Sequence, residues 1–303
     1  MMWRDCYKIS SIEKYPLAWD KRDIDTALDS WYHHEFGQSW KHQNWELTFH
    51  RAGHIPGAAM LHVQTPEKSI LFTGDFDSRD SSLVKGAKPV LADILFIEGT
   101  YGGRYHPDKK EETERFLEAV DRVVRRGGTV LIPAFANGRT QDVVMILHKH
   151  RPHLNVHVDG MGKRIAKNHL SHPSFLKDAS ELEKAWRWAK KVSSKSDKKK
   201  ALGADVIVST SGMLEGGPAL WYLNRLRHDR KNAVFFTGYQ AEGTGGRELL
   251  ETGHLNIYRE RVYVPLETEQ FSFSTHAGQK EILEFAKACQ AKHVIVYLSL
   301  IHI

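Results

Sequence analysis

The chain has 303 residues, of which 41% are hydrophobic and 26% charged, as in an ordinary soluble globular protein. It has no apolar run long enough to span a membrane and no apolar signal core near its first residue, and its two cysteines exclude a disulfide framework, so we expect a cytoplasmic protein. The formal net charge of +6 favours a polyanion such as nucleic acid as partner, without requiring one.

Residues 1–44 are polar and aromatic, and only one helix is predicted there, over Asp23–Phe36. His33 and His34 are adjacent, so on a helix they point in different directions. We interpret both as surface residues.

Residues 45–98 contain three predicted strands, each followed by a histidine or a carboxylate in a tight loop. The residues after the strand ends are His54, Asp75 and Glu98. One such residue is usually a turn or cap residue, but three at similar spacing indicate a metal or acid–base site at one rim of a sheet. The apolar runs at 59–63 and 70–73 flank a TPEK turn and predict a β-hairpin. The three strands are Trp45–His50, Lys68–Thr73 and Asp93–Ile97.

The next part of the chain alternates strands with helices. The amphipathic helix Pro107–Arg126 ends at a Gly-Gly pair, and four units of strand, glycine-rich loop and helix follow it. This alternation predicts a doubly wound parallel sheet, in which ligands bind at the carboxyl ends of the strands. The four strands are Thr129–Pro133, Leu154–Val158, Asp205–Ser209 and Ala233–Thr237.

Two of these loops, STSGM and EGTGGR, place small residues where a helix begins, so that backbone N–H groups can bind phosphate. Such loops are common, and either one alone is little evidence. Arg139 adds a positive charge at a similar position. The candidate phosphate-binding residues are Arg139, Ser209, Ser211, Gly212, Gly243 and Thr244.

Two further patterns have alternative interpretations. The lysine-rich stretch SSKSDKKK, residues 193–200, is most simply a solvated surface loop, and an RNA-contacting patch is the alternative. The histidines at 148, 150 and 153 have the spacing of the zinc motif HxHxDH, but Pro152 stands where that motif needs aspartate. We interpret them as the basic end of a helix, which suits the helix dipole.

His276 lies in the segment FSFSTHAG, directly before the predicted helix Gln279–Gln290. Taken alone it is a cap or packing residue. Together with Glu98 it forms a possible histidine–carboxylate pair, which is a common way to orient a general acid or base. A last strand is predicted over His293–Leu298.

Seven segments carry a family likeness and fall in the family's order. The chain resembles the β-CASP branch of the metallo-β-lactamase fold, which includes RNase J, archaeal RNA-processing nucleases and the endonuclease of pre-mRNA 3′-end processing. The segments are AGHIPGAAM (52–60), LFTGDF (71–76), IEGTYGGR (97–104), PAFANGRTQD (133–142), STSGMLEGGP (209–218), GYQAEGTGGR (238–247) and FSFSTHAG (271–278).

The resemblance implies an α/β fold: a partial metallo-β-lactamase αββα sandwich with an inserted doubly wound parallel-sheet β-CASP domain. The implied divisions are 1–102 and 275–303 for the lactamase-like domain and 103–274 for the cap. RNA would lie in the cleft between them, and a homo-oligomer or RNA-processing complex subunits are further expected partners.

The resemblance also implies residue roles. His54 matches a zinc ligand, and Asp75 matches the carboxylate that bridges two zinc ions. Glu98 matches the acidic motif that pairs with His276, the candidate general acid. The implied reaction is zinc-assisted hydrolysis of an RNA phosphodiester bond.

The chain departs from the family at both ends. The HxHxDH motif is absent, and His302 lacks the glycine that follows the last family histidine, so we leave it unassigned; the final residues also look unlike the family. We therefore expect a chain truncated at both ends. With two of the family's metal ligands, His54 and Asp75, it should bind zinc weakly and have little or no nuclease activity, whereas its full-length parent would be a two-zinc ribonuclease. The alternatives are a non-catalytic RNA-binding scaffold and a DNA-directed nuclease.

Overall fold

The structure is a computed structural model that describes residues 6–7, 10–11, 14 and 16–298. His302 and the atypical residues after 298 lie outside this part of the chain. The strands are β1 (Ser39–His42), β2 (Trp45–Arg51), β3 (Ala59–Gln64), β4 (Ser69–Phe72), β5 (Ile94–Glu98), β6 (Val130–Pro133), β7 (Val156–Asp159), β8 (Lys190–Lys191), β9 (Val206–Ser209), β10 (Ala233–Phe236), β11 (His254–Ile257), β12 (Glu260–Tyr263), β13 (Glu267–Gln270) and β14 (His293–Tyr297). The helices are α1 (Lys21–Asp29), α2 (Lys109–Arg125), α3 (Arg139–His150), α4 (Gly162–Leu170), α5 (Ala179–Trp188), α6 (Lys195–Lys200), α7 (Gly217–Leu226), α8 (Gly245–Thr252) and α9 (Gln279–Ala288), and Pro173–Phe175 and Ala201–Gly203 are short 3₁₀ turns.

The first sheet is mixed and has the order β1-β2-β3-β4-β5-β14. Strands β1 to β4 pair antiparallel, which confirms the predicted β3–β4 hairpin, whereas β5 pairs parallel with both β4 and β14. One face of this sheet packs with α9 in a core that includes Met60, Leu95 and Phe285. Strands β2 and β4 both flank β3 and run in the same direction, so the loops that follow them emerge at one edge.

The second sheet is parallel throughout, with the order β13-β10-β6-β9-β7-β8. Alternate residues of its central strands enter two different cores: Val130 and Ile132 pack with α2, α3 and α5, whereas Leu131 packs with α7 and α8. Helices therefore cover both faces, and the predicted doubly wound parallel sheet is confirmed. Every side chain of β6, β7, β9 and β10 is buried, as expected for a sheet that is covered on both faces.

Strand β13 was not predicted because its sequence, ETEQ, has no apolar residue. Its glutamates form ion pairs with three arginines of helix α2 and its C-cap. Arg122 contacts both Glu267 and Glu269, while Arg126 pairs with Glu267 and Arg115 with Glu269. The strand joins the sheet through its backbone pairing with β10, and the side chains of its glutamates are held by ion pairs rather than by apolar packing.

Two sequence predictions were wrong in extent or type. Helix α1 ends at Asp29 rather than at Phe36, and beyond it His34 stacks on Trp40 with ring centroids 3.9 Å apart. His33 and His34 are exposed as expected. The lysine-rich stretch, predicted as a loop, forms helix α6 because Ser194 and Asp197 make a capping box.

The two sheets are joined by contacts as well as by the chain. The loop between β4 and β5 inserts Leu83 and Val84 into the core that packs on α2 and α3. Arg51 of β2 donates a hydrogen bond to the Ser174 carbonyl oxygen at 2.6 Å. None of the helices in the described part of the chain combines the length and the apolar content needed to cross a lipid bilayer.

Candidate metal and acid–base site

Three potential metal ligands meet where the loops after β2 and β4 approach the segment before α9. One ligand atom each of His54, Asp75 and His276 lies within 4.8 Å of the others. Among the described residues, no other group of three histidine, cysteine or acidic side chains is arranged in this way. The loop before His54 depends on Gly53, which has φ +74, and a Cβ there would lie 2.2 Å from the Asp77 carbonyl oxygen.

His54 is oriented by the segment that carries His276. Its Nδ1 lies 3.0 Å from the Thr275 carbonyl oxygen, to which it donates a hydrogen bond. Nε2 therefore keeps its lone pair, which is the usual arrangement for a metal-binding histidine. Burial lowers the pKa of His54, and the nearby His276 lowers it further. The ring is thus kept in the neutral form that binds a metal.

Glu98 is fully buried and directs its carboxylate at His276 rather than at the ligand cluster. His276 Nδ1 lies 2.9 Å from Glu98 Oε2 and 3.1 Å from Oε1. The Phe76 N–H and the Thr100 hydroxyl also donate to this carboxylate, at 2.6 and 2.5 Å. Burial alone would lower the pKa of His276, but the hydrogen bond and charge of Glu98, with the charge of Asp75, raise it above its ordinary value.

Sequence reasoning missed two residues that hold the His276 backbone. His106 Nε2 donates to the His276 carbonyl oxygen at 3.0 Å, and Arg79 Nη2 lies 3.4 Å from the same oxygen. Arg79 also pairs with Asp77 at 2.8 Å, so this second acid of the GDFD segment is engaged away from the cluster. The only signal for His106 was its position directly after the IEGTYGGR segment.

Aromatic rings form one wall of the site. The Tyr101 ring centroid lies 6.1 Å from that of His276 and 6.5 Å from that of Tyr239, which follows β10. Phe135, at the end of β6, is 42% exposed, and a Cβ on Gly212 would lie 2.8 Å from its backbone nitrogen. The loop after β6 also contacts the site directly, because Gly138 lies against Ile55, the neighbour of His54.

The phosphate-binding candidates of the STSGM loop lie at the carboxyl end of β9, beside β6. Ser209 is fully buried, and its hydroxyl has no hydrogen-bond partner among the described residues. Ser211 Oγ accepts the Glu215 N–H at 3.0 Å, and the Gly212 carbonyl oxygen accepts from Gln240. Of these three residues, Ser209 has the hydroxyl without a partner.

The remaining candidates occupy different surroundings. Arg139 is 8% exposed and pairs with Asp142 at 3.2 Å, but its Nε has no partner among the described residues. Thr244 caps helix α8, and Gly243, with φ +78, has open space around its Cα. Arg139 is thus near the site but covered, whereas Gly243 and Thr244 form a turn against the STSGM loop.

His148 and His150 of the HKHRPH stretch lie in the last turn of α3 and His153 follows the helix; none of the three joins the ligand cluster. His148 packs on Trp188, with ring centroids 5.3 Å apart. This agrees with their interpretation as the basic end of a helix.

Comparisons with known proteins agree with this architecture. The Beta-Casp domain model matches residues 140–249, within the parallel sheet and its helices. The chain is 34% identical over 307 residues to "Probable RNase MJ4" of Methanocaldococcus jannaschii, covering 98% of this chain and 72% of the relative. It is 34% identical to "RNase aCSPSF2" of Saccharolobus solfataricus, covering 97% of this chain and 60% of the relative. It is 29% identical to "Cleavage and polyadenylation specificity factor subunit 3" of Dictyostelium discoideum, of which it spans 40%.

Proposed function

Because the chain belongs to the β-CASP family of metallo-β-lactamase-fold nucleases, we propose that it acts in zinc-dependent hydrolysis of RNA phosphodiester bonds. The observation that carries the proposal is the His54–Asp75–His276 cluster with Glu98 behind it. The relatives named as ribonucleases make RNA the favoured substrate.

The side chains of the cluster fit a zinc ion by their chemistry. Two imidazoles and one carboxylate form a donor set that zinc binds in catalytic sites. Both imidazoles present Nε2 to the cluster, because Nδ1 of His54 is hydrogen-bonded to Thr275 and Nδ1 of His276 to Glu98. A hydrogen bond from the second ring nitrogen to a carbonyl or carboxylate is what fixes metal-binding histidines. When bound, zinc polarises phosphate oxygens and makes water more acidic.

His276 is the group that we assign to proton transfer. Glu98 holds Nδ1–H, so a proton on the opposite nitrogen, Nε2, faces the cluster and can be given to the leaving oxygen of the cleaved bond. The buried carboxylate stabilises the imidazolium before that transfer and fixes the ring orientation. If His276 instead binds the metal, Glu98 becomes the carboxylate that orients a ligand, and a further acid is required.

Phosphate groups of RNA would meet the loops after β6, β9 and β10 at the carboxyl edge of the parallel sheet. We propose Ser211 and Gly212 as contacts there, with Gly243 and Thr244 as a second turn; Ser209 is fully buried at the end of β9, so it would support this loop from below rather than contact phosphate. Arg139, the buried first residue of α3, provides a positive charge below the loops at this edge of the sheet. Its orphaned Nε would gain a partner if a phosphate or a water bridged to it.

The ligand count limits the expected rate. With His276 assigned to proton transfer, only His54 and Asp75 of the cluster remain as ligands, fewer than the three protein ligands of a catalytic zinc site. If His276 binds the metal instead, three ligands are available, which is enough for one zinc ion but not for two. We therefore expect slow cleavage by this chain, well below that of a two-zinc enzyme. Rapid multiple turnover that a chelator abolishes would show that this count is wrong.

The test is cleavage of a labelled single-stranded RNA by excess zinc-loaded protein. The unmutated 303-residue chain should cleave this RNA at least tenfold faster than the Asp75→Ala variant, and EDTA should remove the difference in rate. The His276→Asn variant should lose cleavage while it still binds cobalt, followed by its visible absorption, if His276 is the acid. Equal cleavage rates of the unmutated chain and Asp75→Ala contradict the proposal. Faster cleavage of DNA of the same sequence contradicts the assignment of RNA as the substrate.

A further inference from the structure

The lysine-rich segment of residues 190–200 carries most of the chain's excess positive charge. It contains six lysines and one aspartate, a net charge of +5, against +6 for the entire chain. The segment is ordered by local hydrogen bonds: Ser194 Oγ accepts the Asp197 N–H, and the Asp197 carboxylate accepts the N–H groups of Ser193 and Ser194. A fixed concentration of charge creates a local potential that attracts polyanions.

An open depression of about 580 Å³ lies beside this segment. Its wall combines three lysines with two aromatic residues, and we call these five residues the lysine patch: Lys163, Lys195, Lys198, Trp221 and Tyr258. Lys195 is exposed. Surfaces that bind single-stranded nucleic acid combine cations for phosphates with rings for bases.

The acidic residue in the same wall offsets one of the three lysine charges and is itself held by hydrogen bonds. Asp159 is buried, and its carboxylate accepts hydrogen bonds from Tyr222 Oη at 3.0 Å and Lys163 Nζ at 3.2 Å. It therefore fixes Lys163 in place. Its charge also acts on Lys198, which is half-buried against the Trp221 ring, whereas Lys195 is exposed.

Trp221 holds two cations at fixed positions. The Arg225 guanidinium carbon lies 3.7 Å from its ring centroid, and Lys198 Nζ lies 4.6 Å from the same ring. These contacts reduce the freedom of two long side chains before any ligand binds. Trp221 thus positions Lys198 of the patch and the neighbouring Arg225.

Tyr258 supplies the exposed ring. Its side chain is 64% exposed and lies in the two-residue turn between β11 and β12. Tyr258 and Arg259 have φ values of 51° and 74°, as in the tight turns that suit the twist of a hairpin. The turn therefore holds the ring at a fixed tip above the depression.

The lysine patch opens on the same edge of the sheet as the catalytic loops. Asp159 ends β7, which is two strands from β6, a separation of about 10 Å at roughly 4.8 Å per strand. The loop after β6 reaches the metal cluster through Gly138 and Ile55. A strand of RNA that leaves the cluster along this edge meets the lysines.

We propose that the lysine patch binds single-stranded RNA at a second contact outside the cleavage site. This second contact rests on the proposed function, since the RNA strand that it binds is the one to be cleaved. Lys195 and Lys198 contact phosphates, and a base stacks on Tyr258.

The test measures binding without cleavage. A fluorescent 15-nucleotide single-stranded RNA is titrated with the Asp75→Ala chain in EDTA, by anisotropy, at several salt concentrations. Each lost phosphate contact should reduce the steepness of log affinity against log salt by about 0.7. The double variant Lys195→Ala/Lys198→Ala loses two contacts, so the steepness should fall by roughly 1.4. At 0.1 M salt its affinity for the RNA should be at least about tenfold weaker. Tyr258→Ala should weaken binding about fivefold or more, and Tyr258→Phe should restore it.

Matched controls remove the same groups elsewhere. Lys85→Ala/Lys88→Ala removes two exposed lysines, and Tyr32→Ala removes a ring that is 88% exposed; both should leave affinity within twofold. Circular dichroism melting checks that each variant folds. The proposal is overturned if patch and control variants lose the same affinity for the labelled RNA. It is also overturned if polyglutamate displaces the labelled RNA as effectively as unlabelled RNA does.

The two proposals fail in different ways. If patch variants lose RNA binding but no preparation cleaves RNA, the proposed function fails and the second contact stands. If cleavage depends on Asp75 but patch variants bind as the parent does, the lysine patch is overturned alone.

Discussion

Replacing Glu98 probes the pair on which the proposed proton transfer depends. Its carboxylate is fully buried and accepts bonds from the Phe76 N–H, the Thr100 hydroxyl and His276 Nδ1, the last at 2.9 Å. A hydrogen bond to a charged group contributes about 1.5–3 kcal/mol, against about 1 kcal/mol for a neutral one. Glutamine keeps one acceptor oxygen and loses the charge, so we expect Glu98→Gln to lower the free energy of unfolding by about 2 kcal/mol. Glu98→Ala should lower it by about 3–5 kcal/mol, because the half-buried His276 and the Phe76 N–H lose their partner.

Urea unfolding of the chelated protein, followed by fluorescence, measures both changes. The midpoint should fall while the slope stays constant. A double-mutant cycle of Glu98→Gln with His276→Asn isolates the pair, for which we expect a coupling of about 1.5–3 kcal/mol. Thr100→Val is the matched control, because it removes one bond to the carboxylate and leaves His276 paired. A coupling below about 0.5 kcal/mol would refute the reasoning, since Glu98 would then stabilise only the backbone near Phe76.

Three other predictions concern pH, packing and metal. Burial lowers the pKa of His169 to about 4, below its unfolded value near 6.5. The free energy of unfolding should therefore be highest above pH 6.5 and fall by about 1–3 kcal/mol as the pH drops to 4, because the unfolded chain binds the proton first. His169→Gln should remove this part of the dependence of unfolding free energy on pH, and an unchanged dependence would contradict the prediction. Gly212→Ala should lower the melting temperature by several degrees, equivalent to about 1–3 kcal/mol, because its Cβ would lie 2.8 Å from the Phe135 nitrogen; a neutral effect would show that the loop yields. Zinc at 100 times its dissociation constant should stabilise the chain by about 2.7 kcal/mol, measured by thermal melting, and His54→Ala should abolish this effect, whereas equal stabilisation of both would place the ion elsewhere.

The parallel sheet was predictable because its central strands are continuous apolar runs between glycine-rich loops. Both cores draw on the same strands, so every residue of VLIP in β6 is buried and the pattern is strong. Strand β13 has the opposite character: Glu267 and Glu269 are placed by arginines of a distant helix, and no local pattern reveals such pairing. The lysine stretch was predicted as a loop because its charge suggested solvent, although Ser194 and Asp197 already contained the capping box.

The candidate site was only partly readable. Sequence spacing placed His54, Asp75 and Glu98 at strand ends, but the resemblance was needed to relate His276 to them. The support of His276 by His106 and Arg79 depends on contacts across 170 and 197 residues. A local pattern does not encode contacts of that range. The surroundings of Arg139 are likewise non-local: its partner Asp142 also accepts the Ser82 N–H from the loop between β4 and β5.

The pairing of Glu98 with His276 also sets a time at which the site can first exist. The two residues are 178 positions apart, and all of the parallel sheet is encoded between them. At about 5–20 residues per second, a ribosome completes His276 roughly 10–35 s after Glu98. Until then His54 and Asp75 are already synthesised but lack their third neighbour. During synthesis the nascent chain therefore cannot assemble this cluster until the whole parallel sheet has been made.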